Sequence, residues 1–134
     1  MPFVIDASMA ASWVLPDERG PTSLRAYARL AEEPARVPHL WWYELRNIFI
    51  MNERRGRIDA EQTRSAISLL AELPVELDHD CVESTLFYFA RQYRLTAYDA
   101  AYLELAARFT LPLATLDQEM AAAARAEHIA VIGD

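Results

Sequence analysis

The chain has 134 residues, of which 53% are hydrophobic and 25% are charged, and its formal net charge is −7. All 13 basic residues are arginine, and the absence of lysine excludes a P-loop, which needs a lysine for its phosphates, and a Schiff-base enzyme, which needs an amine. The acidic balance argues against a protein that coats nucleic acid through a basic surface, and the length suits a single domain over residues 1–134.

Short apolar strands and helices alternate along the chain. A strand at residues 3–5 is followed by helices at 8–15 and 21–30, and a strand at 36–39 by helices at 40–55 and 59–73. Asp59 is the expected N-cap of the helix at 59–73, and Gln62 completes a box-like pair with it. A strand at 75–77 precedes helices at 80–93 and 99–109, and the chain closes with a strand at 113–116, a helix at 118–127 and a strand at 129–132. This alternation predicts an α/β domain around a mainly parallel sheet.

Cysteine and histidine offer no metal-binding pattern. Cys81 is the single cysteine, which excludes a disulfide framework, and we expect it to be a small buried side chain. His39, His79 and His128 are scattered, and we expect them to be structural or exposed. The N-terminus lacks the features of a signal peptide, and no apolar run approaches the roughly 20 residues that span a bilayer. We therefore expect a cytoplasmic protein without a membrane partner.

Four acidic residues fall where open α/β sheets carry their functional sites, beyond the carboxyl ends of strands. Asp6 ends the first predicted strand, and Asp117 follows the strand at 113–116. Glu44 lies in the first turns of the helix at 40–55, and Asp99 begins the helix at 99–109. We expect these carboxylates to open onto one edge of the sheet.

Three of the acids also have a purely structural interpretation as helix caps. Thr96 and Asp99 have the spacing of a capping box, and Asp117 immediately precedes a helix. Asp6, with Ser8 two residues later, also resembles a helix start. At this level the capping and the functional interpretations both remain open.

Glu44 is harder to explain structurally, because it shares a helical stripe with Trp41, Ile48 and Met51. A carboxylate in that position loses part of its hydration and needs a compensating partner. Arg46 lies on another side of the same helix. Crowded carboxylates without a built-in cation suit Mg²⁺ or Mn²⁺, which prefer oxygen ligands and support hydrolysis of phosphodiester bonds.

Four stretches of the sequence resemble PIN-domain endoribonucleases, and most closely the VapC-like toxins of bacterial toxin–antitoxin pairs. They are VIDAS at 4–8, WYELRN at 42–47, LTAYDAAY at 95–102 and LPLATLD at 111–117. Their order and spacing agree over essentially the whole chain. The resemblance implies a three-layer α/β/α sandwich with a mainly parallel central sheet.

The same resemblance implies a site, a reaction and partners. One or two Mg²⁺ or Mn²⁺ ions would be held by an acidic quartet of Asp6, Glu44, Asp99 and Asp117. Ser8 and Thr115 resemble hydroxyl residues that orient the acids or a water molecule. The implied activity is hydrolysis of single-stranded or loop RNA by a metal-activated water. The implied partners are a VapB-like antitoxin and a second copy of the chain, with DNA contacted only through the antitoxin.

An acidic protein that cleaves RNA has only arginine to hold the phosphates. The candidate RNA-binding arginines cluster near one helix end and before the Asp99 helix: Arg46, Arg54, Arg55, Arg57, Arg91 and Arg94. They could grip phosphates bidentately, or they could be solvated surface charges. The neighbouring aromatic residues Trp13, Trp41, Trp42 and Tyr43 are candidates for base stacking, although core or partner-facing positions are favoured.

Other functions are also compatible with parts of the pattern. The chain could be a regulatory module of a toxin–antitoxin complex, with the apolar segments 9–15 and 24–30 facing a DNA-binding partner. A haloacid-dehalogenase-like phosphatase is disfavoured because it needs a second aspartate where Ser8 stands and a lysine that the chain lacks. A double-strand or flap nuclease is disfavoured because the chain is too short for the clamp elements that such enzymes add.

Overall fold

The computed structural model describes residues 1–134. Its strands are β1 (Phe3–Ile5), β2 (Ala35–Pro38), β3 (Val75–Asp78) and β4 (Leu113–Ala114). Its helices are α1 (Ala7–Ser12), α2 (Pro21–Arg29), α3 (Leu40–Arg54), α4 (Ala60–Ala71), α5 (Glu83–Tyr93), α6 (Ala97–Phe109) and α7 (Gln118–Ala126).

The four strands form one sheet in the order β3-β2-β1-β4, and every pairing is parallel. The chain steps from β1 to β2 to β3 in one direction and then crosses back to β4 at the opposite edge. Because crossovers between parallel strands are right-handed, this reversal puts α1 to α4 on one face of the sheet and α5 and α6 on the other. The predicted three-layer α/β/α sandwich is therefore confirmed.

The central strand and α6 supply much of the core. All three residues of β1 are fully buried, as expected for a strand with helices on both faces. In α6, seven consecutive residues from 100 to 106 are buried, which explains why this helix is apolar on nearly all sides. Since α6 packs against β1, β2 and β4, it is held rigidly beside the strand ends that carry the acids.

A largely buried ion-pair network ties α6 to the end of β3. Arg108 Nε donates to Glu104 Oε2 at 2.7 Å, and its two terminal nitrogens donate to the two carboxylate oxygens of Asp78 at 3.2 Å each. Glu104 is 2% exposed and also accepts from the backbone N–H of Val82 at 3.2 Å. Every acidic group of this network, which we call the Arg108 cluster, thus has a cationic partner.

Several predicted element boundaries are wrong, each for a local reason. The strand predicted at 129–132 forms only a single bridge from Val131 to Leu113, because the backbone turns at His128 and Gly133, both with positive φ. The helix predicted from residue 80 begins at Glu83. The helix predicted from residue 99 begins at Ala97, with Thr96 as its N-cap. The capping box of Asp59 and Gln62 that starts α4 is present as predicted.

The expectation that Cys81 is buried is wrong. Its side chain is exposed in the loop between β3 and α5, where no element packs over it. His39 and His79 are exposed, in line with the sequence analysis. No helix combines the length and apolar character needed to cross a membrane.

Candidate active site

The carboxyl edge of the sheet brings the four acids together around one cavity of about 230 Å³. Asp6 follows β1, Asp117 follows β4 after two residues, and α3 and α6 bring Glu44 and Asp99 to the same edge. The cavity wall is formed by Asp6, Ala7, Ser8, Glu44, Asn47, Ile48, Asp99, Tyr102, Asp117 and Met120. None of these ten residues is basic, so the carboxylates face one another without a side-chain cation.

Asp6 is the most constrained of the four acids, and it is almost completely buried. Its Oδ1 accepts from the backbone N–H of Met9 at 2.8 Å and from the Ser8 hydroxyl at 3.0 Å. Its Oδ2 accepts from the hydroxyl of Thr115, whose Oγ1 in turn accepts from the Asp117 N–H at 3.0 Å. The two predicted hydroxyl residues therefore both contact Asp6 and fix the orientation of its carboxylate.

Asp117 and Asp99 combine a helix terminus with a place on the cavity wall. Asp117 is the N-cap of α7, and its Oδ1 accepts from the backbone N–H groups of Glu119 and Met120 at 2.9 and 3.2 Å. In α6, Thr96 is the N-cap and accepts from the Asp99 N–H at 3.1 Å. The capping box predicted for Thr96 and Asp99 is only half formed, because the Asp99 carboxylate accepts no bond from the Thr96 backbone N–H. Asp117 is a true cap and still presents its carboxylate to the cavity.

Glu44 crosses the cavity to meet Tyr102. The Tyr102 hydroxyl donates a hydrogen bond to Glu44 Oε1, linking α3 to α6. Tyr102 is 1% exposed, and burial and the nearby Glu44 carboxylate raise its pKa far above the usual value for a phenol. Its hydroxyl therefore stays protonated and remains a hydrogen-bond donor to Glu44.

The electrostatics of the cavity favour neutral carboxyl groups. Burial raises the pKa of Asp6, and the Asp117 charge adds to this effect, against the lowering influence of its three hydrogen bonds. Burial also raises the pKa of Glu44, reinforced by Asp99 and Asp6, and that of Asp99, reinforced by Asp117. Ionisation of these carboxyl groups is therefore unfavourable unless a cation binds in the cavity.

The donor set fits a hard divalent cation. All four charged groups are carboxylates, and Mg²⁺ and Mn²⁺ prefer carboxylate and water oxygens. In this arrangement no three acidic, histidine or cysteine side chains converge closely enough to form a complete ligand set by themselves. An ion in the cavity would therefore need small side-chain movements or water ligands, as is usual for Mg²⁺.

The candidate RNA-binding arginines lie outside the cavity wall. Arg46 lies over the ring of Trp42, and Arg57 is bonded to Asn52 and close to Glu18. The remaining four are exposed, at the end of α3 or in and after α5: Arg54, Arg55, Arg91 and Arg94. The structure thus brings the acids together and leaves the arginines on the surrounding surface.

Sequence reasoning missed Tyr102 and Asn47, which also line the cavity. The signal was present in the helical spacing, because Tyr102 follows Asp99 by three residues and Asn47 follows Glu44 by three. Residues three apart lie on the same helix face, so each acid predicts a neighbour that shares its cavity.

The fold and the cavity have the form of a nuclease domain with an acidic centre, and a direct comparison gives the family. The model of the PIN domain family matches residues 3–126. The chain therefore belongs to the PIN-domain family, which confirms the resemblance carried by the four sequence stretches.

Individual relatives resemble the chain over most of its length. The chain is 32% identical over 124 residues to Ribonuclease VapC3 of Pyrobaculum aerophilum, a match that covers 90% of this chain and 93% of that protein. The crystal structure of PAE2754 from Pyrobaculum aerophilum superposes with a TM-score of 0.69 at 26% identity, covering 92% of this chain and 87% of the other.

A more distant structure supports the fold alone. The Mycobacterium tuberculosis toxin VapC20, which cleaves the sarcin-ricin loop, has a TM-score of 0.58 at 13% identity, covering 90% of this chain and 94% of that one.

Proposed function

We propose that the chain, as one PIN domain over residues 1–134, is a divalent-metal-dependent endoribonuclease that acts on cytoplasmic RNA as the toxin of a toxin–antitoxin pair. The observation that carries the proposal is the cavity of four carboxylates without a basic residue, in a chain 32% identical to a protein named as a ribonuclease. The alternative of a phosphatase of another fold loses its support, because the chain belongs to the PIN-domain family.

In this proposal each residue of the site has a defined task. Asp6, Glu44, Asp99 and Asp117 would hold one or two Mg²⁺ or Mn²⁺ ions, which would supply positive charge for the phosphate and lower the pKa of the attacking water. Ser8 and Thr115 keep the Asp6 carboxylate in one orientation through their hydrogen bonds. Both hydroxyls donate to Asp6, so they also stabilise its ionised form.

An apolar groove supports the second part of the proposal, a VapB-like antitoxin that covers the toxin. It is a cavity of about 420 Å³ between α1, α2 and α4, lined mainly by Trp13, Val14, Leu24, Tyr27, Leu69, Leu70 and Leu73. Leu24, Tyr27 and Leu69 are exposed, and contiguous exposed apolar surface is typical of a protein-binding site. This groove includes parts of the apolar segments at 9–15 and 24–30 and favours a regulatory role in addition to catalysis.

We also propose that the chain forms a homodimer. Phe87 and Tyr88 on α5 are exposed aromatic side chains and are candidates for the contact between two copies. Measuring the mass in solution at several concentrations tests this, and a monomer at all concentrations would contradict it.

The test of the catalytic proposal is RNA cleavage with purified protein, with and without Mg²⁺ or Mn²⁺. We expect cleavage only with the metal, and a loss of at least about a hundredfold in Asp6→Asn and Asp99→Asn, because metal-assisted charge stabilisation contributes several kcal/mol. Glu76→Gln, on the exposed edge strand, is the control and should cleave normally. Metal-independent cleavage, or equal rates in all four proteins, would refute the proposal.

A further inference from the structure

An exposed group of aromatic and cationic side chains lies at the start of α3, outside the acidic cavity. It consists of His39, Trp42 and Arg46 on one face of the helix, together with His79 from the loop after β3. We call these four residues the stacking surface. They point the same way because His39, Trp42 and Arg46 are separated by three and four positions, one helical turn each.

The members of the stacking surface are already paired with one another. The Arg46 guanidinium carbon lies 3.7 Å from the centroid of the Trp42 ring, and Arg46 Nη1 donates to the Trp42 carbonyl at 3.3 Å. The rings of His39 and His79 are stacked, with centroids 5.5 Å apart and planes 18° apart. Tyr43 adds an edge-on contact to Trp42 at 5.0 Å.

These side chains are accessible to a ligand. Trp42 is 42% exposed, whereas Trp13 and Trp41 are buried in the core. His39 and His79 are also exposed. Large aromatic groups that are held in place and still face solvent are typical of binding surfaces, because packing alone does not require them there.

The stacking surface lies on the same edge of the sheet as the acids but on the opposite side of α3. Trp42 and Arg46 are each two positions from Glu44, so both point away from it around the helix. An α-helix with its side chains is about 10–12 Å across. An RNA strand that reaches both the cavity and the stacking surface would therefore have to pass around α3, over a path longer than this diameter.

Charge around the surface is compatible with RNA. The nearest largely buried acid, Asp78, is neutralised by Arg108, and its backbone carbonyl accepts from the His39 N–H at 3.1 Å, which fixes the two loops together. Asp80 follows His79 in the chain and is exposed to solvent. In a protein with a net charge of −7, stacking on aromatic rings supplies affinity that phosphate contacts alone would not.

We propose that the stacking surface binds unpaired bases of the RNA substrate on the side of α3 opposite the acidic cavity. This inference rests on the proposed ribonuclease function and adds to it a binding surface for bases outside the acidic cavity. Trp42 with Arg46 carries the main contact, and His39 with His79 extends the platform over the ends of β2 and β3. Every base has a face that can stack, so the surface tolerates different sequences.

The experiment measures binding of a fluorescein-labelled unpaired RNA of twelve nucleotides in the Asp99→Asn background, where cleavage does not interfere. Trp42→Ala should weaken binding by about five- to a hundredfold, the usual effect of removing a stacked aromatic residue. Trp42→Phe should retain most of the affinity because the phenyl ring still stacks. Duplex RNA of the same length should be bound weakly by all of these proteins.

Phe109→Ala is the matched control. Phe109 is also 42% exposed and lies under two arginines, Arg36 at 4.4 Å and Arg108 at 4.8 Å, but it is about 15 Å along α6 from Asp99 at the far end of that helix. Its loss should leave RNA affinity unchanged. The control therefore shows whether RNA affinity falls when any exposed cation–π pair is removed, or only when Trp42 of the stacking surface is removed.

The outcomes are distinct from those of the cleavage test. RNA binding by the Asp99→Asn protein that depends on Trp42 supports the stacking surface even if the wild type never cleaves RNA, which would refute only the catalytic proposal. Unchanged affinity in Trp42→Ala overturns the inference, as does equal loss in Phe109→Ala or absence of RNA binding. A Trp42→Ala protein with a changed mass in solution and unchanged RNA affinity would assign the surface to a contact between subunits instead.

Discussion

The chain contains two groups of carboxylates in partly or fully buried positions, and they are built in opposite ways. In the Arg108 cluster, Asp78 and Glu104 share the guanidinium of Arg108 and have complete hydrogen bonding. In the cavity, four acids meet without any basic residue on the wall. The Arg108 cluster stabilises the fold, whereas the four acids of the cavity need a bound cation to balance their negative charge.

The pKa directions express the same contrast. Burial alone raises the pKa of Asp78, but the hydrogen bonds and charge of Arg108 lower it below its ordinary value. Burial raises the pKa of Asp6, Glu44 and Asp99, and neighbouring acids raise it further. The pKa shift of Asp78 therefore has the opposite sign to those of Asp6, Glu44 and Asp99, because Arg108 provides Asp78 with a cation. Buried acids that lack a basic side chain beside them are therefore candidates for a functional site.

The largest effect on the free energy of unfolding is expected from removing the cation of the Arg108 cluster. Arg108→Ala leaves Glu104 and Asp78 as buried charges without a partner, and we expect the free energy of unfolding to fall by about 3 kcal/mol or more in urea denaturation. The control is Arg64→Ala, which removes the exposed pair with Glu61 and should cost about 0.5 kcal/mol or less. Equal losses in the two variants would mean that the Arg108 cluster is no more important than a surface pair.

A smaller effect of opposite sign is expected from neutralising an acid of the cavity. Glu44→Gln keeps an acceptor for Tyr102 and removes one repelling charge, so the metal-free protein at pH 7.5 should gain about 1 kcal/mol. Because the pKa of Glu44 is raised in the folded state, its stabilising contribution is present below its ordinary value of 4.5 and is lost as the pH rises through the raised value.

The gain in Glu44→Gln should therefore vanish toward pH 4. The contribution of Asp78 has the reverse dependence, because its lowered pKa makes it stabilising above 3.8 and lost as the pH falls through the lowered value. Thermal unfolding from about pH 2 to pH 8 measures both trends. A Glu44→Gln variant that is less stable than wild type at pH 7.5 would contradict the claim that repulsion between the cavity carboxylates destabilises the metal-free protein.

A third effect, on metal affinity rather than on stability, is expected from the hydrogen bond that links the two sides of the cavity. Tyr102→Phe removes the donor to Glu44, and we expect the Mn²⁺ dissociation constant to rise about fivefold, corresponding to one hydrogen bond of about 1 kcal/mol. Tyr93→Phe, whose hydroxyl contacts Glu127 outside the cavity, should leave Mn²⁺ binding unchanged. Isothermal titration distinguishes them, and identical constants for both variants would mean that Tyr102 does not position Glu44.

The sequence was sufficient to predict the elements that rest on local patterns. Fully apolar β1, the capping box at Asp59 and Gln62 and the helix carrying Glu44 all depend on short-range spacing. The acidic edge could be predicted because parallel strands end on one side of a sheet, so the positions of Asp6 and Asp117 after their strands already imply that the two residues are neighbours.

Features set by backbone conformation or by long-range contacts could not be predicted in the same way. The segment 129–132 has the composition of a strand, but the backbone at His128 and Gly133 allows only one bridge to Leu113. The partner of Glu44 was also hidden, because Tyr102 lies 58 positions later in the chain. Cys81 was expected inside the core from residue type alone, and its loop leaves it exposed.

The most direct test that the four carboxylates form a metal site is Mn²⁺ binding followed by electron paramagnetic resonance at pH 7.5. This experiment measures how much Mn²⁺ the cavity binds and how tightly, without depending on RNA. Wild-type protein should remove one or two equivalents of free Mn²⁺ signal, and Asp6→Asn and Asp99→Asn should bind at least about tenfold more weakly. Glu76→Gln should bind as wild type. If the wild type leaves all Mn²⁺ free, or if the cavity variants bind it equally well, the four carboxylates are not a metal site.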